Sequence, residues 1–300
     1  MKHMGDVLAG IHATWEFESD SVLIRFERGI RTPKLFQALG ERRIPHEALS
    51  SVTLTPGKRG TVVLRAVPRA GADPLVEAAA GQLRESGDPY RLVLPAERDT
   101  LAEYYADELR AAVARGARDA HEPAERYLVA TPPPPLHFKA FDGKAFFDGD
   151  RVSFRWFSTG ASTTKWKAGD QNLPVGELHG VEWRSPELLD GYLRLLRRDG
   201  SGTGTGLPQP ARADHDPAAV VFGLGYGPVH ESLPFAAAVL AAVQDASPSR
   251  ASVTVPAVAS IRRDPADVAD RIRHLGELHQ AGLVTDEEFS AKKAELLAEL

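Results

Sequence analysis

Phe17 to Phe26 reads FESDSVLIRF, and Phe147 to Trp156 reads FDGDRVSFRW. The two stretches correspond position by position: Phe17 with Phe147, Asp20 with Asp150, Val22 with Val152, Ile24 with Phe154, Arg25 with Arg155, Phe26 with Trp156. Each reads as a turn of Asp, Gly and Ser feeding a strand. Val22, Ile24 and Phe26, or Val152, Phe154 and Trp156, fall at alternate positions and so share one face. A tandem repeat follows, with Asp20 and Asp150 in the turns and Arg25 and Arg155 pointing away from the apolar faces.

Outward from the first copy, Ala13 to Phe17 is the partner strand of a hairpin. Further strands are expected at Leu35–Leu39, Ser51–Leu54, Thr61–Val67 and Tyr90–Leu94, each bounded by Pro, Gly or charged residues. The intervening GADPLVEAAAGQLRESGDP reads as a mobile loop with at most one short helix, because Gly and Pro interrupt it. From Thr100 the period changes. Leu101, Tyr104, Tyr105, Leu109, Ala112 and Val113 form a stripe at helical spacing that predicts a closing helix.

The run Pro132 to Pro135 favours extended polyproline II and marks a spacer. Beyond it the plan recurs: Ile44-Pro45 and Leu49 correspond to Leu173-Pro174 and Leu178, and Leu64-Arg65 to Leu193-Arg194. Strands are expected at Lys144–Phe147, Val152–Phe157, His179–Arg184, Tyr192–Arg197 and Ala219–Leu224. The insertion returns as the Gly-rich DGSGTGTGLPQPARADHDP. A helix from about His230 to Gln244 then places Phe235, Val239 and Val243 on one face. The sequence ends in a helical hairpin: Gly282 stops its first helix, and Thr285 with Glu288 makes the capping box of its second. Ile272, Leu275, Leu278, Phe289, Leu296 and Leu297 are its candidate interface, since a unit this short buries little surface alone.

The expected class is therefore α+β: two β-rich domains, each closed by one C-terminal helix, plus a two-helix hairpin. The boundaries are 1–120 for the first repeat, 121–136 for a Pro-rich linker, 137–245 for the second repeat, 246–265 for a flexible linker and 266–300 for the hairpin.

With 300 residues, 43% hydrophobic and 26% charged, the chain has an ordinary globular balance. A net charge of -5 argues against global attraction to nucleic acid. The absence of cysteine excludes disulfides and thiolate chemistry and fits a reducing cytoplasm. No secretory leader is expected, and the apolar run Phe235–Val243 is far shorter than the roughly 20 residues that span a bilayer. No HExxH and no GxSxG occurs, and the histidines give no metal signature. Gly223, Gly225 and Gly227 shape a strand-to-helix turn, since the later residues of a phosphate loop are lacking. The expectation is a protein without cofactor, metal or catalytic activity.

One polar cluster stands out. Arg25, Arg28, Arg31, Lys34, Arg42 and Arg43 follow the first hairpin closely, against Glu27 and Glu41, and Arg155 holds the place of Arg25 in the second repeat. These seven are the candidate anion-binding residues.

The segment DVADRIRHLGELHQAGLVTDEEFSAKKAELLAEL closely resembles the SHOCT family, the short C-terminal domain of many bacterial proteins, through Leu275, Leu278, His279, Ala281, Gly282, Thr285, Glu287, Glu288, Phe289, Lys292, Lys293, Leu296 and Leu297. That resemblance implies a two-helix adaptor for oligomerisation or partner docking. The repeats, through IHATWEFESDSVLIRF, RRIPHEALSSVTL and DPYRLVLPAERDTLAEYYADEL, look like the bacterial domain-of-unknown-function family numbered 4429, commonly duplicated and followed by such a segment. Their strand series with a closing helix is similar in architecture to pleckstrin-homology-like folds. The function expected is a cytoplasmic, non-enzymatic binding or scaffold protein whose hairpin self-associates or docks a protein partner. The alternative is peripheral recognition of anionic membrane lipid, or another anionic ligand, through the basic stretch.

Overall fold

Alternation and turn chemistry build the first hairpin: β1 (Asp6–Ala9), β2 (Ala13–Phe17) and β3 (Ser21–Phe26) run antiparallel, with Trp15 opposite Ile24 and Phe17 opposite Val22. The computed structural model describes residues 6–115, 122–188, 190–198 and 212–247. Residues 1–248 fall in one compact unit, so both repeats belong to a single body. The hairpin candidates Ile272, Leu275, Leu278, Phe289, Leu296 and Leu297 lie outside the described residues.

After β3 come α1 (Lys34–Leu39) and β4 (Glu41–Pro45), which pairs with β3 to complete a four-stranded antiparallel sheet. A second antiparallel sheet follows: β5 (Leu49–Pro56), β6 (Thr61–Pro68) and, after α2 (Pro74–Ala79), β7 (Arg91–Pro95). Helix α3 (Asp99–Arg115) comes next. The second repeat has the same order apart from α2, which has no counterpart among the described residues: β8 (Leu136–Lys139), β9 (Gly143–Phe147), β10 (Arg151–Trp156), α4 (Thr163–Ala168), β11 (Gln171–Pro174), β12 (Leu178–Arg184), β13 (Tyr192–Arg197), β14 (Ala219–Val221) and α5 (Val229–Ala246).

The paired turns explain why FESDSVLIRF and FDGDRVSFRW correspond. Asp20 accepts from the amide of His46 at 2.8 Å, and Asp150 accepts from Val175 at 2.8 Å; in each case the acceptor is the backbone oxygen. Each bond ties the hairpin turn to the chain just after the Ile44-Pro45 or Leu173-Pro174 pair. The two sheets of each repeat also meet at one corner, where Ile11 donates to Val93 at 2.7 Å and Phe141 to Val221 at 2.9 Å.

Val22, Ile24 and Phe26, and Val152, Phe154 and Trp156, are all buried as alternation requires. Three local expectations are corrected. Leu35–Leu39 is not a strand but lies in α1, since Gly40 terminates a run of good helix formers; Leu35 and Phe36 are both buried. In α3 the core face is Ala102, Tyr105, Ala106 and Leu109, while Leu101 and Tyr104 are exposed. Small alanines let the helix sit close, and Tyr105 stacks on Phe17 with ring centres 4.2 Å apart. The first insertion is an ordered part of the core. Asp73 accepts from the Leu75 amide as N-cap, Pro74 occupies the first turn, and Ala72, Leu75, Ala78 and Ala79 are buried. Most of the second insertion, 199–211, lies outside the described residues.

Helix α2 is ordered because it has something to pack on. Leu35, Leu75, Ala78 and Ala79 of the first repeat share a hydrophobic core with Leu233, Phe235, Ala236, Ala237, Val239 and Val243 of α5. Helix α5 is thus covered on two sides, by its own sheets and by the first repeat, which is why it is more apolar than α3. Polar ties accompany the packing. The Gln82 amide donates to Trp183 O at 3.0 Å and accepts from Ser185 N at 2.8 Å. Arg84 pairs with Glu187 at 2.9 Å, and Gln244 accepts from the Tyr127 amide at 2.7 Å.

Candidate functional site

The structure divides the basic residues that follow the first hairpin. Arg25, on the outer face of β3, lies 3.1 Å from Glu16 and 3.9 Å from Glu41. Arg43 pairs with Glu18 and donates to Ser21 Oγ at 3.1 Å. Arg155 lies 3.7 Å from Asp170. These three are exposed but neutralised on their own sheets. Arg28, Arg31 and Lys34 are exposed too, and no carboxylate among the described residues pairs with them.

Arg42 leaves the candidate set. Its side chain is 2% exposed and donates to Asp73 Oδ1 at 2.8 Å and to Tyr90 Oη at 3.1 Å. The Tyr90 hydroxyl in turn donates to Asp73, so guanidinium, carboxylate and phenol close a ring. Burial pushes the guanidinium pKa down, but Tyr90 and Asp73 raise it by more, so Arg42 stays charged. Burial, with Asp73 adding to it and Arg42 opposing, drives the Tyr90 hydroxyl well above its ordinary value and keeps it neutral. β4 carries Arg42 inward at a position where alternation expects an apolar residue, and the N-cap of α2 supplies the counter-charge. An arginine sealed this way cannot reach a ligand; it fastens the insertion to the first sheet.

The second repeat buries a different cation. Lys165, on α4, is fully buried with Nζ 2.5 Å from Asp142 Oδ2 and 5.0 Å from the Trp156 ring centre. In the first repeat Phe36 stacks on Phe26 at 4.6 Å. Lys165 over Trp156 is the second repeat's version of that stack. Asp142 also accepts from the Val221 amide at 2.9 Å. Burial lowers the Lys165 pKa, with Asp142 opposing.

One constellation escaped the sequence reading and is shared by both repeats. Arg65 donates to Asp88 at 2.9 Å, and Arg194 to Asp216 at 2.8 Å. The same aspartates accept from the amides of Tyr90 at 3.0 Å and Ala218 at 2.8 Å. The signal was present as the Asp-Pro that ends both insertions, Asp88-Pro89 and Asp216-Pro217. An aspartate two residues before an amide, followed by proline, is a turn device that re-enters the sheet at a set register. Asp88→Ala is expected to lower the unfolding free energy by about 1–2 kcal/mol, read by urea denaturation. A loss within error would remove the clamp role.

Between the repeats lies a cleft of about 720 Å³, bordered by Lys34, Leu35 and Leu83 on one side and by Leu188, Leu224, Tyr226 and His230 on the other. Leu224 is fully exposed, at the centre of a turn closed by Tyr226 N donating to Gly223 O at 3.0 Å. Gly227 of this GLGYG segment has φ 62°, and a Cβ there would lie 2.1 Å from the Phe222 ring, so these glycines do shape the turn. Burial, opposed by Glu231 and aided by Lys34, lowers the His230 pKa. Among the described residues no group of three or more His, Asp or Glu is placed to hold a metal, and no helix is long and apolar enough to cross a membrane.

Fold and site together define a duplicated antiparallel α+β protein in which a few charged groups, Arg42 with Asp73 and Lys165 with Asp142, are buried as ion pairs. The chain belongs to the family described as Domain of unknown function (DUF4429), which matches residues 15–110 and again 145–240. Residues 270–297 match SHOCT, the Short C-terminal domain. No curated protein matches the chain.

Proposed function

We propose that this chain is a non-enzymatic binding protein in which the two repeats act as one platform and the Short C-terminal domain serves self-association or docking of a protein partner. The observation that carries this reading is the core shared by Leu35, Leu75, Ala78 and Ala79 with α5, because it makes one presenting surface out of two repeats. In each repeat a four-stranded and a three-stranded antiparallel sheet followed by a helix supports the pleckstrin-homology-like reading. The buried ion pairs at Arg42 and Lys165 have structural explanations, which leaves the surface and the cleft as the places for recognition.

The association role rests on the apolar positions Leu275, Leu278, Phe289, Leu296 and Leu297 of the Short C-terminal domain. Light scattering of the full chain should give a mass above that of the monomer, and Phe289→Asp should lower it, because a carboxylate in an apolar interface is strongly disfavoured. A full chain that is monomeric at every concentration would remove self-association and leave docking of a different protein as the role of that domain.

A further inference from the structure

The chain between β3 and α1 makes a small, well-held projection. Thr32 N donates to Gly29 O at 3.0 Å, which places Ile30 and Arg31 at the centre of a β-turn. The Gln37 side chain donates to Gly29 O at 3.0 Å and to Thr32 O at 2.9 Å, pinning both ends of the turn to α1. Thr32 itself is buried beside His12. At the tip of this pinned turn Ile30 has a relative exposure of 106%, as much as an isolated residue. Arg28, Arg31 and Lys34, all exposed, flank it in the chain, and the one carboxylate of the loop is Glu27.

A single exposed isoleucine is common on protein surfaces and by itself means little. The second repeat supplies an internal control. There the matching segment between β10 and α4 is Phe157-Ser158-Thr159-Gly160-Ala161-Ser162, without a charge, and its one large apolar side chain, Phe157, is half-buried beside β10 while the turn tip carries only small residues. It still turns, with Gly160 N and Ala161 N donating to Phe157 O at 3.3 and 3.0 Å. The fold therefore does not require an isoleucine or cations at this turn. An exposed aliphatic tip flanked in the chain by cations that have no carboxylate partner among the described residues is the combination that suits the boundary between anionic headgroups and acyl chains, where apolar burial and charge attraction act together. Leu224, a second fully exposed aliphatic turn residue among the described residues, borders the same cleft as Pro33 and Lys34, which leave the Ile30 turn.

We propose that the Ile30 turn docks this protein on an anionic bilayer surface, with Ile30 entering the headgroup region and Arg28, Arg31 and Lys34 engaging lipid phosphates. The assignment goes beyond the association role of the Short C-terminal domain and uses none of its residues. Sedimentation of the full chain with vesicles of equimolar phosphatidylcholine and phosphatidylglycerol is the test, with pure phosphatidylcholine vesicles as the neutral arm. Binding is expected to the anionic vesicles at low salt and to fall as salt is raised. Arg28→Gln with Arg31→Gln should lower the partition about 25-fold, at roughly fivefold per cation. Ile30→Ser should lower it about tenfold.

All three side chains are exposed, so thermal unfolding of these variants should match the parent and separate loss of docking from loss of fold. Failure of the parent to sediment at low salt would overturn the assignment. So would binding that Ile30→Ser leaves unchanged, the pattern of a free-phosphate site, especially if soluble glycerol phosphate competes fully. A chain that docks on vesicles yet stays monomeric would retain this assignment and lose self-association.

Discussion

Asp73→Ala is expected to lower the unfolding free energy by about 3–5 kcal/mol, because it strands a buried arginine. Three things fail together. Arg42 keeps its charge with its side chain 2% exposed and no carboxylate. The Tyr90 hydroxyl loses its acceptor. The amide of Leu75 loses the cap of α2 at 2.8 Å. Since α2 is one of the elements through which the first repeat meets α5, the damage reaches the contact between repeats. Urea unfolding followed by circular dichroism measures the size, and limited proteolysis at Leu75–Gly81 should become faster. Tyr90→Phe is the graded comparison: it removes one hydroxyl, leaves the ion pair, and should cost only about 1–2 kcal/mol. Equal effects of the two substitutions would mean that the ion pair is not what holds the insertion.

The second large effect is expected at Lys165. Lys165→Met preserves length and apolar volume but leaves the Asp142 carboxylate buried without its cation, a loss of about 3 kcal/mol near neutral pH. The pH dependence has a definite sign. Burial sets the folded pKa of Lys165 below the ordinary lysine value of 10.5, so the folded chain gives up this proton before the unfolded chain does. Between the folded pKa and 10.5 the unfolded state binds more protons, and stability contributed by this group rises with pH. Below the folded pKa the desolvation penalty is constant. Urea midpoints measured from neutral pH to about 10 should therefore show a rising contribution in the parent that Lys165→Met lacks. Parallel curves for the two proteins would contradict a depressed lysine.

Much of the scaffold was legible because its signals are local. A β-strand repeats every two residues, so Val22, Ile24 and Phe26 announce their face without reference to anything else, and the duplication doubles each signal. The strands β2, β6, β12 and β13 were readable for this reason. β4 was not, because Arg42 sits on its inward face, and the charge can be there only because Asp73 and Tyr90, distant in the chain, come to meet it. α1 is short enough that Leu35 and Phe36 look equally like a strand; Leu35 faces the second repeat's core and Phe36 the first's.

The candidate site divides along the same line. Clustering of six cations after the first hairpin was plain in the sequence, and so was the pairing of Arg25 with Arg155 across the repeats. Which of the cations are available could not be read, since an ion pair across a sheet depends on register. Arg25 stands opposite Glu41 only because β3 and β4 align that way. Arg28 and Arg31 in the turn, and Lys34 at the start of α1, have no carboxylate partner among the described residues because they lie beyond the paired strands.

The sequence by itself determined the duplication, the antiparallel α+β class, the family and the Short C-terminal domain, all of which follow from periodicity and motif along the chain. Tertiary structure alone decided that the insertion in the first repeat is a buried helix rather than a loop. It also decided that α5 is covered on two sides, and that among the candidate cations Arg28, Arg31 and Lys34 have no carboxylate partner within the described residues. Each of these is a relation between residues far apart in the chain, set by desolvation and packing at contacts that no local pattern encodes.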